Sequence, residues 1–193
     1  ITQITIGKNV KRIGIQAFGS TNISTVALPE GLTTIADRAF YGTKLQSISI
    51  PASVETVGMQ AFHSCNELAR VEIGAGSVSI GKQAFAASPK LTTVVMIEGG
   101  VKNIAAEAFY VCPLLQDVTL ASIDSIGTSA FSDCPKLASI HIPAKNVGAY
   151  AFANCESLAN VTFAEGMDSI ADYAFNNSRN IEQLIFPNSL RTI

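Results

Sequence analysis

The stretch LQSISIPASVETVGMQAFHSCNEL, Leu45–Leu68, returns in kind as LASIHIPAKNVGAYAFANCESL at Leu137–Leu158. Working outward from its Ala61-Phe62 pair, Ala-Phe recurs with phenylalanines at 18, 40, 62, 85, 109, 131, 152 and 175, spaced by 22, 22, 23, 24, 22, 21 and 23 residues. Such near-constant spacing marks a repeat architecture and has to be read before any local feature. Each unit opens on an aliphatic residue, another three later and another two after that, as in Leu45, Ile48, Ile50 and Leu68, Val71, Ile73. The final apolar–variable–apolar alternation has the period of a half-buried strand. A second aliphatic pair three apart follows, as in Val10 and Ile13 or Ile123 and Ile126, then Gly or Ala, then Ala-Phe.

The prolines obey the same register. Pro29, Pro51, Pro143 and Pro187 directly follow a strand, where a missing N–H does least harm. Pro89, Pro113 and Pro135 each sit four residues after the repeat Phe, where the chain must turn. The units run over residues 1–22, 23–44, 45–67, 68–90, 91–114, 115–136, 137–157 and 158–180, with a truncated ninth at 181–193. One unit cannot bury its own apolar side, so neighbours must stack and identical slots become interior ladders. A single solenoid is therefore expected over 1–193. Residues 74–80 and 97–101 lack the proline and carry extra glycine, which predicts altered turns.

The full pattern, L-x-x-I-x-I-P-x-x-V-x-x-I-G-x-x-A-F-x-x-C-x-x-L, resembles the BspA-like, or Treponema pallidum-type, leucine-rich repeat along the entire chain. The resemblance implies a right-handed, strand-rich leucine-rich repeat solenoid. Its expected cross-section is one parallel sheet, with short turns or 3-10 segments on the other side and little regular helix. It further implies a cell-surface or secreted bacterial protein with roles in adhesion and in binding host or partner proteins.

Composition narrows the alternatives. With 48% hydrophobic and only 15% charged residues the chain is a folded one. A formal net charge of −2 gives no reason to expect nucleic acid or an anionic membrane as partner. No apolar run approaches the ~18–20 residues that span a bilayer. The sequence has no methionine at its start and no visible polar cap at either end, so an excerpt of a longer array is expected, with end-to-end self-association through uncapped ends.

Residues that look reactive fall into repeat slots. All four cysteines, Cys65, Cys112, Cys134 and Cys155, lie three after the repeat Phe, where the other units carry Thr21, Thr43, Ser88 and Ser178. This reads as a buried place for a small, mildly polar side chain. Parallel side chains one rung apart do not converge on a tetrahedral metal, and parallel Cβ vectors disfavour a disulfide. His141 stands at the variable strand position, with Thr119 and Thr162 in line and Asp117 at a diagonal, not the set a catalytic His wants. Asp37, Glu107, Asp133 and Asp172 occupy the turn half of different coils, so a catalytic pair is not expected. EGG at 98–100 lacks the Lys and Ser/Thr of a phosphate loop, and neither H-E-x-x-H nor G-x-S-x-G occurs. No catalytic residue, metal site or cofactor is expected.

The outward strand positions instead predict a broad, weakly charged face suited to an extended protein surface. Its candidate binding residues are Ser49, Arg70, Glu72, Val95, Asp117, Thr119, His141 and Thr162. The expected partners are host extracellular matrix or surface proteins, or other bacterial surface proteins. A substrate-docking domain of a larger surface enzyme and a structural spacer are the alternative readings.

Overall fold

The computed structural model describes residues 1–76, 78–97, 99 and 101–193. Every coil contributes two short strands. The first strands are β1 (Gln3–Thr5), β3 (Thr25–Ala27), β5 (Ser47–Ile50), β7 (Arg70–Ile73), β9 (Thr93–Met96), β11 (Asp117–Thr119), β13 (Ser139–Ile142) and β15 (Asn160–Phe163). The second strands are β2 (Arg12–Ile13), β4 (Thr34–Ile35), β6 (Thr56–Val57), β8 (Val78–Ile80), β10 (Val101–Ile104), β12 (Ile123–Ile126), β14 (Ala144–Val147) and β16 (Ser169–Ile170). All pairings are parallel and join a coil to the next at the repeat spacing, as in Ile48↔Val71 and Ile140↔Val161. The protein is a β-solenoid of leucine-rich type.

The expectation of one sheet needs correction. The second strands form an unbroken eight-stranded sheet, whereas the first strands divide into β1-β3, β5-β7-β9-β11 and β13-β15. An aliphatic pair three apart lacks the alternation of a long strand. The second strand needs only one outward and one inward residue, as in Thr34 and Ile35, and that pair pleats while the rest of the spacing is spent on the corner. The turns occupy a third side, around Ala-Phe, and no 3-10 helix occurs among the described residues.

The first sheet opens between β11 and β13. Three residues, 51–53, separate Ile50 from Val54, but only Ala121 and Ser122 separate Leu120 from Ile123, and Pro143 alone separates Ile142 from Ala144. Corner length does not by itself set the break: β13 and β15 stay in full register although one residue follows Ile142 and three follow Phe163, and β3 parts from β5 although both precede three-residue corners. The turns expected to differ at 74–80 and 97–101 include Ser77, Glu98 and Gly100, outside the described residues; a register shift between Val101 and Asn103 follows them.

Inside, the eight repeat phenylalanines make one continuous column from Phe18 to Phe175, with neighbouring centroids 5.0 to 5.6 Å apart. Phe40 to Phe152 are fully buried, and leucines such as Leu45, Leu68, Leu91 and Leu137 stack beside them. The Gly/Ala slot lies where coils approach closely: a Cβ on Gly148 would sit 2.6 Å from the Thr128 nitrogen.

The turn side is built on positive φ. The residues two before and two after each Phe are left-handed, from Gln16 (51°) and Ser20 (57°) to Tyr173 (60°) and Asn177 (61°), with Gly42 (64°) the one glycine in the series. The first sits third in a turn closed by bonds such as Ala39 N–H to Ala36 O at 3.2 Å, the type II position that normally asks for glycine. This conformation costs an L-residue roughly 1 kcal/mol. Opposing that cost, the turns from Gln16 to Asn154 bond to the next coil, as in Arg38 N–H to Met59 O at 2.9 Å and Phe40 N–H to Ala61 O at 2.8 Å.

Candidate functional site on the first sheet

Alternation along the first strands turns Ile48, Val71, Val94 and Ile140 inward and presents two outward rows. Ser49, Glu72, Val95 and Thr119 fall in register in one row, and Ser47, Arg70, Thr93 and Asp117 in the other. Six candidate residues, Ser49, Arg70, Glu72, Val95, Asp117 and Thr119, thus share one four-stranded patch. Arg70 Nη2 and Glu72 Oε2 are 3.2 Å apart across it, with side chains 49% and 41% exposed. A pair that open to water orients both groups more than it stabilises the fold.

His141 and Thr162 form a separate patch. They face each other in register, with His141 Nδ1 2.9 Å from Thr162 Oγ1. Thr119 and Asp117, read from sequence as neighbours of His141, lie across the break and make no ladder with it. Beyond β15 a shallow depression of about 670 Å³ is lined by Asn160, Thr162, Phe163, Gln183 and Ile185 among others.

The cysteine slot has a more specific reason than size. Cys65, Cys112, Cys134 and Cys155 direct their thiols to the carbonyl oxygens of Phe40, Phe85, Phe109 and Phe131, each in the preceding coil, at 3.3 to 3.6 Å. Ser178 does the same to Phe152 O at 2.7 Å. At these five positions the slot holds a short donor, whereas Thr21 donates to its own coil's Phe18 O, Thr43 meets Cys65 Sγ, and the buried Ser88 Oγ has no partner. Burial pushes Cys112 and Cys155 up to about 12 and raises Cys65; at Cys134 burial dominates and the thiols on either side add to it. All four are free thiols and thiolates are suppressed, so none is an activated nucleophile. Among the described residues no cluster of three or more His, Cys, Asp or Glu is placed to hold a metal ion.

Sequence reasoning missed two further surfaces. The outward row of the second sheet reads Arg12, Thr34, Thr56, Ser79, Asn103, Ser125, Asn146 and Ser169, tied in places by side-chain bonds such as Ser125 Oγ to Asn103 Oδ1 at 2.9 Å. A polar residue directly before the second aliphatic of each pair was its signal. On the turn side, Arg38 Nε donates to Gln60 Oε1 at 2.8 Å, Gln60 Nε2 to Gln83 Oε1 at 2.6 Å, and Gln83 Nε2 to Glu107 Oε2. Glu107 and Asp133, not expected to pair, line one notch in that surface.

A parallel-stranded stack of coils, with leucine and phenylalanine ladders inside and a variable strand face outside, defines a leucine-rich repeat protein. The BspA type Leucine rich repeat region matches with six copies over residues 1–116 and 78–193, and the chain belongs to that family. A leucine rich cell surface protein from Faecalibacterium prausnitzii A2-165 is 28% identical with a TM-score of 0.55, over 97% of this chain and 59% of its own. The leucine-rich repeat protein of Treponema pallidum is 29% identical with a TM-score of 0.65, over 70% of this chain and 67% of its own. The pneumococcal vaccine antigen PcpA shares the fold at 23% identity and a TM-score of 0.63, over 100% of this chain and 52% of its own. The chain thus spans 59% of the length of the first of these relatives. No curated protein matches it. Among the described residues no helix is long and apolar enough to cross a membrane.

Proposed function

We propose that this chain is a non-catalytic protein-binding module of a surface or secreted bacterial protein, engaging host or partner proteins through the outer face of its first sheet. The observation that carries the reading is the chemistry of that face. On an interior repeated almost without change, the outward rows pass from Ser49 through the Arg70–Glu72 pair and Val95 to Asp117, then to His141 beside Thr162. Interior slots are constrained by their ladders; these positions are not, and they differ from coil to coil. The description of the Faecalibacterium relative as a cell surface protein supports the location.

The test is capture from panels of extracellular matrix and bacterial surface proteins by immobilised wild type and by the double variants Arg70→Ala/Glu72→Ala and Val95→Asp/Thr119→Ala. Wild type is expected to retain at least one partner, with affinity reduced roughly tenfold or more in one variant, as for a central contact. A partner held equally by both variants moves the interface off this face.

A further inference from the structure

The turn side carries three rows that follow the phenylalanines, and together they make a feature found on neither sheet. In the row two before Phe, long side chains bond in series from Arg38 through Gln60 and Gln83 to Glu107. The series stops at Ser129, and the next member is Tyr150. In the row one after Phe, Tyr110 is followed by the small Ser132 and Ala153. Three short side chains therefore lie together between two tyrosines. The result is a notch of about 470 Å³, within the range of small-molecule sites.

Its chemistry is selective. Tyr110 and Tyr150 are 37% and 39% exposed at its margins, offering ring surface and a phenol each. Between them stands a planar polar pair that is already fixed. Asp133 accepts from Ser132 Oγ at 2.7 Å and from Asn154 Nδ2 at 2.9 Å, and Asn154 Oδ1 accepts from Asn177 Nδ2 at 2.9 Å. The backbones of Ser129, Asp133, Tyr150 and Asn154 are held in the left-handed turn geometry. Each planar group keeps hydrogen-bonding capacity beyond these contacts. Groups held in place before a ligand arrives lose little freedom on binding it. Glu107 is already shared between Lys82, at 3.6 Å, and Gln83, so its charge is balanced locally.

We propose that this notch is a binding site for one unit of a neutral saccharide, its C–H face against a tyrosine and its hydroxyls on the Asp133–Asn154 pair. A sugar ring presents both surfaces at once, and a neutral one asks for no countercharge. The site lies on a different side of the coil from the first-sheet face and stands or falls independently of the protein-binding reading.

The experiment is saturation-transfer NMR on the whole chain with lactose, maltotriose, a mannose disaccharide and the N-acetylglucosamine trimer at millimolar concentration, with tetramethylammonium as the cationic probe. Two variants fit the fold. Ser129→Gln restores the residue this row carries at Gln16, Gln60 and Gln83 with the same positive φ, and fills the notch. Tyr110→Ser copies Ser132 one coil later. At least one saccharide is expected to show transfer, with its apparent Kd raised about tenfold or more in both variants while circular dichroism is unchanged. If Ser129→Gln does not fold, Tyr110→Ser decides alone. No saccharide signal, a signal untouched by the variants, or binding of tetramethylammonium only overturns the proposal.

Discussion

The two sheets share an interior and differ outside. The second runs unbroken through all eight coils and shows water a row from Arg12 through Thr34, Thr56, Ser79, Asn103, Ser125 and Asn146 to Ser169, with Lys102, Asp124 and Lys145 beside it. The first is divided, and it shows Arg70, Glu72, Val95, Asp117 and His141. Where outward side chains bond along the stack, as Ser169 Oγ does to Asn146 Oδ1 at 2.8 Å, the row is uniform and braces its neighbours. On the first sheet Arg70 pairs with Glu72 within a strand, and His141 bonds along the stack to Thr162. One wall serves as spine and the other as face.

Four perturbations probe that division. Phe109→Ala strikes what both walls share and should cost about 3–5 kcal/mol, read as a fall in Tm with amide protection lost equally from β10 and β9. Protection lost from only one sheet would show that the column does not couple them. Next in size, Ser79→Pro removes the spine bond from Ser79 N–H to Glu55 O at 3.0 Å and puts a proline inside a central strand, at about 1–3 kcal/mol. Ser139→Pro is its counterpart on the face: no backbone bond joins β13 to β11, so urea unfolding should register less than about 1 kcal/mol. Equal losses would mean the break is closed in solution.

Smaller effects separate the outer rows. Asn103→Ala deletes the acceptor for Ser125 Oγ and should cost about 1 kcal/mol, whereas Glu72→Ala on the exposed face should cost about 0.5 or less. The smallest effect belongs to the turn side. Burial holds the His63 imidazole below its ordinary 6.5, helped by the Arg38 charge and opposed by a backbone bond to Ala86. Below that pH the unfolded chain takes up the proton first, so stability falls until the folded value is passed and then levels off. The slope just below pH 6.5 should be absent in His63→Ala, which copies Ala86 and Ala153 in the same slot.

The sequence made the interior legible because a ladder slot admits few residues. Phe62 and Phe131 could be placed by counting, as could Leu45 and the cysteines, and the structure puts each where the count does. The second sheet escaped because half of its strands are a single polar–aliphatic pair, Thr56–Val57 for example, and the four-residue ones, such as Ile123–Ile126, keep their buried residues three apart and show no period of two. The left-handed turns escaped because Arg38, Glu107, Val111 and Tyr150 hold positions where glycine or asparagine would have announced them. The outer face was legible as a set of positions, but the repeat pattern carries no signal for the gap between Thr119 and His141. The notch between Tyr110 and Tyr150 arises from side chains that are short, and small residues attract no notice in a list of candidates.

The sulfur atoms enclosed behind the phenylalanine column have one more consequence. A thiol that neither ionises nor meets solvent is a poor target for peroxide and for alkylating reagents alike, and with no cystine to cleave, a reductant has nothing to act on. The stack should keep its shape on either side of a redox boundary, so an array of these coils could cross from a reducing interior to an oxidising exterior without rearranging a covalent bond.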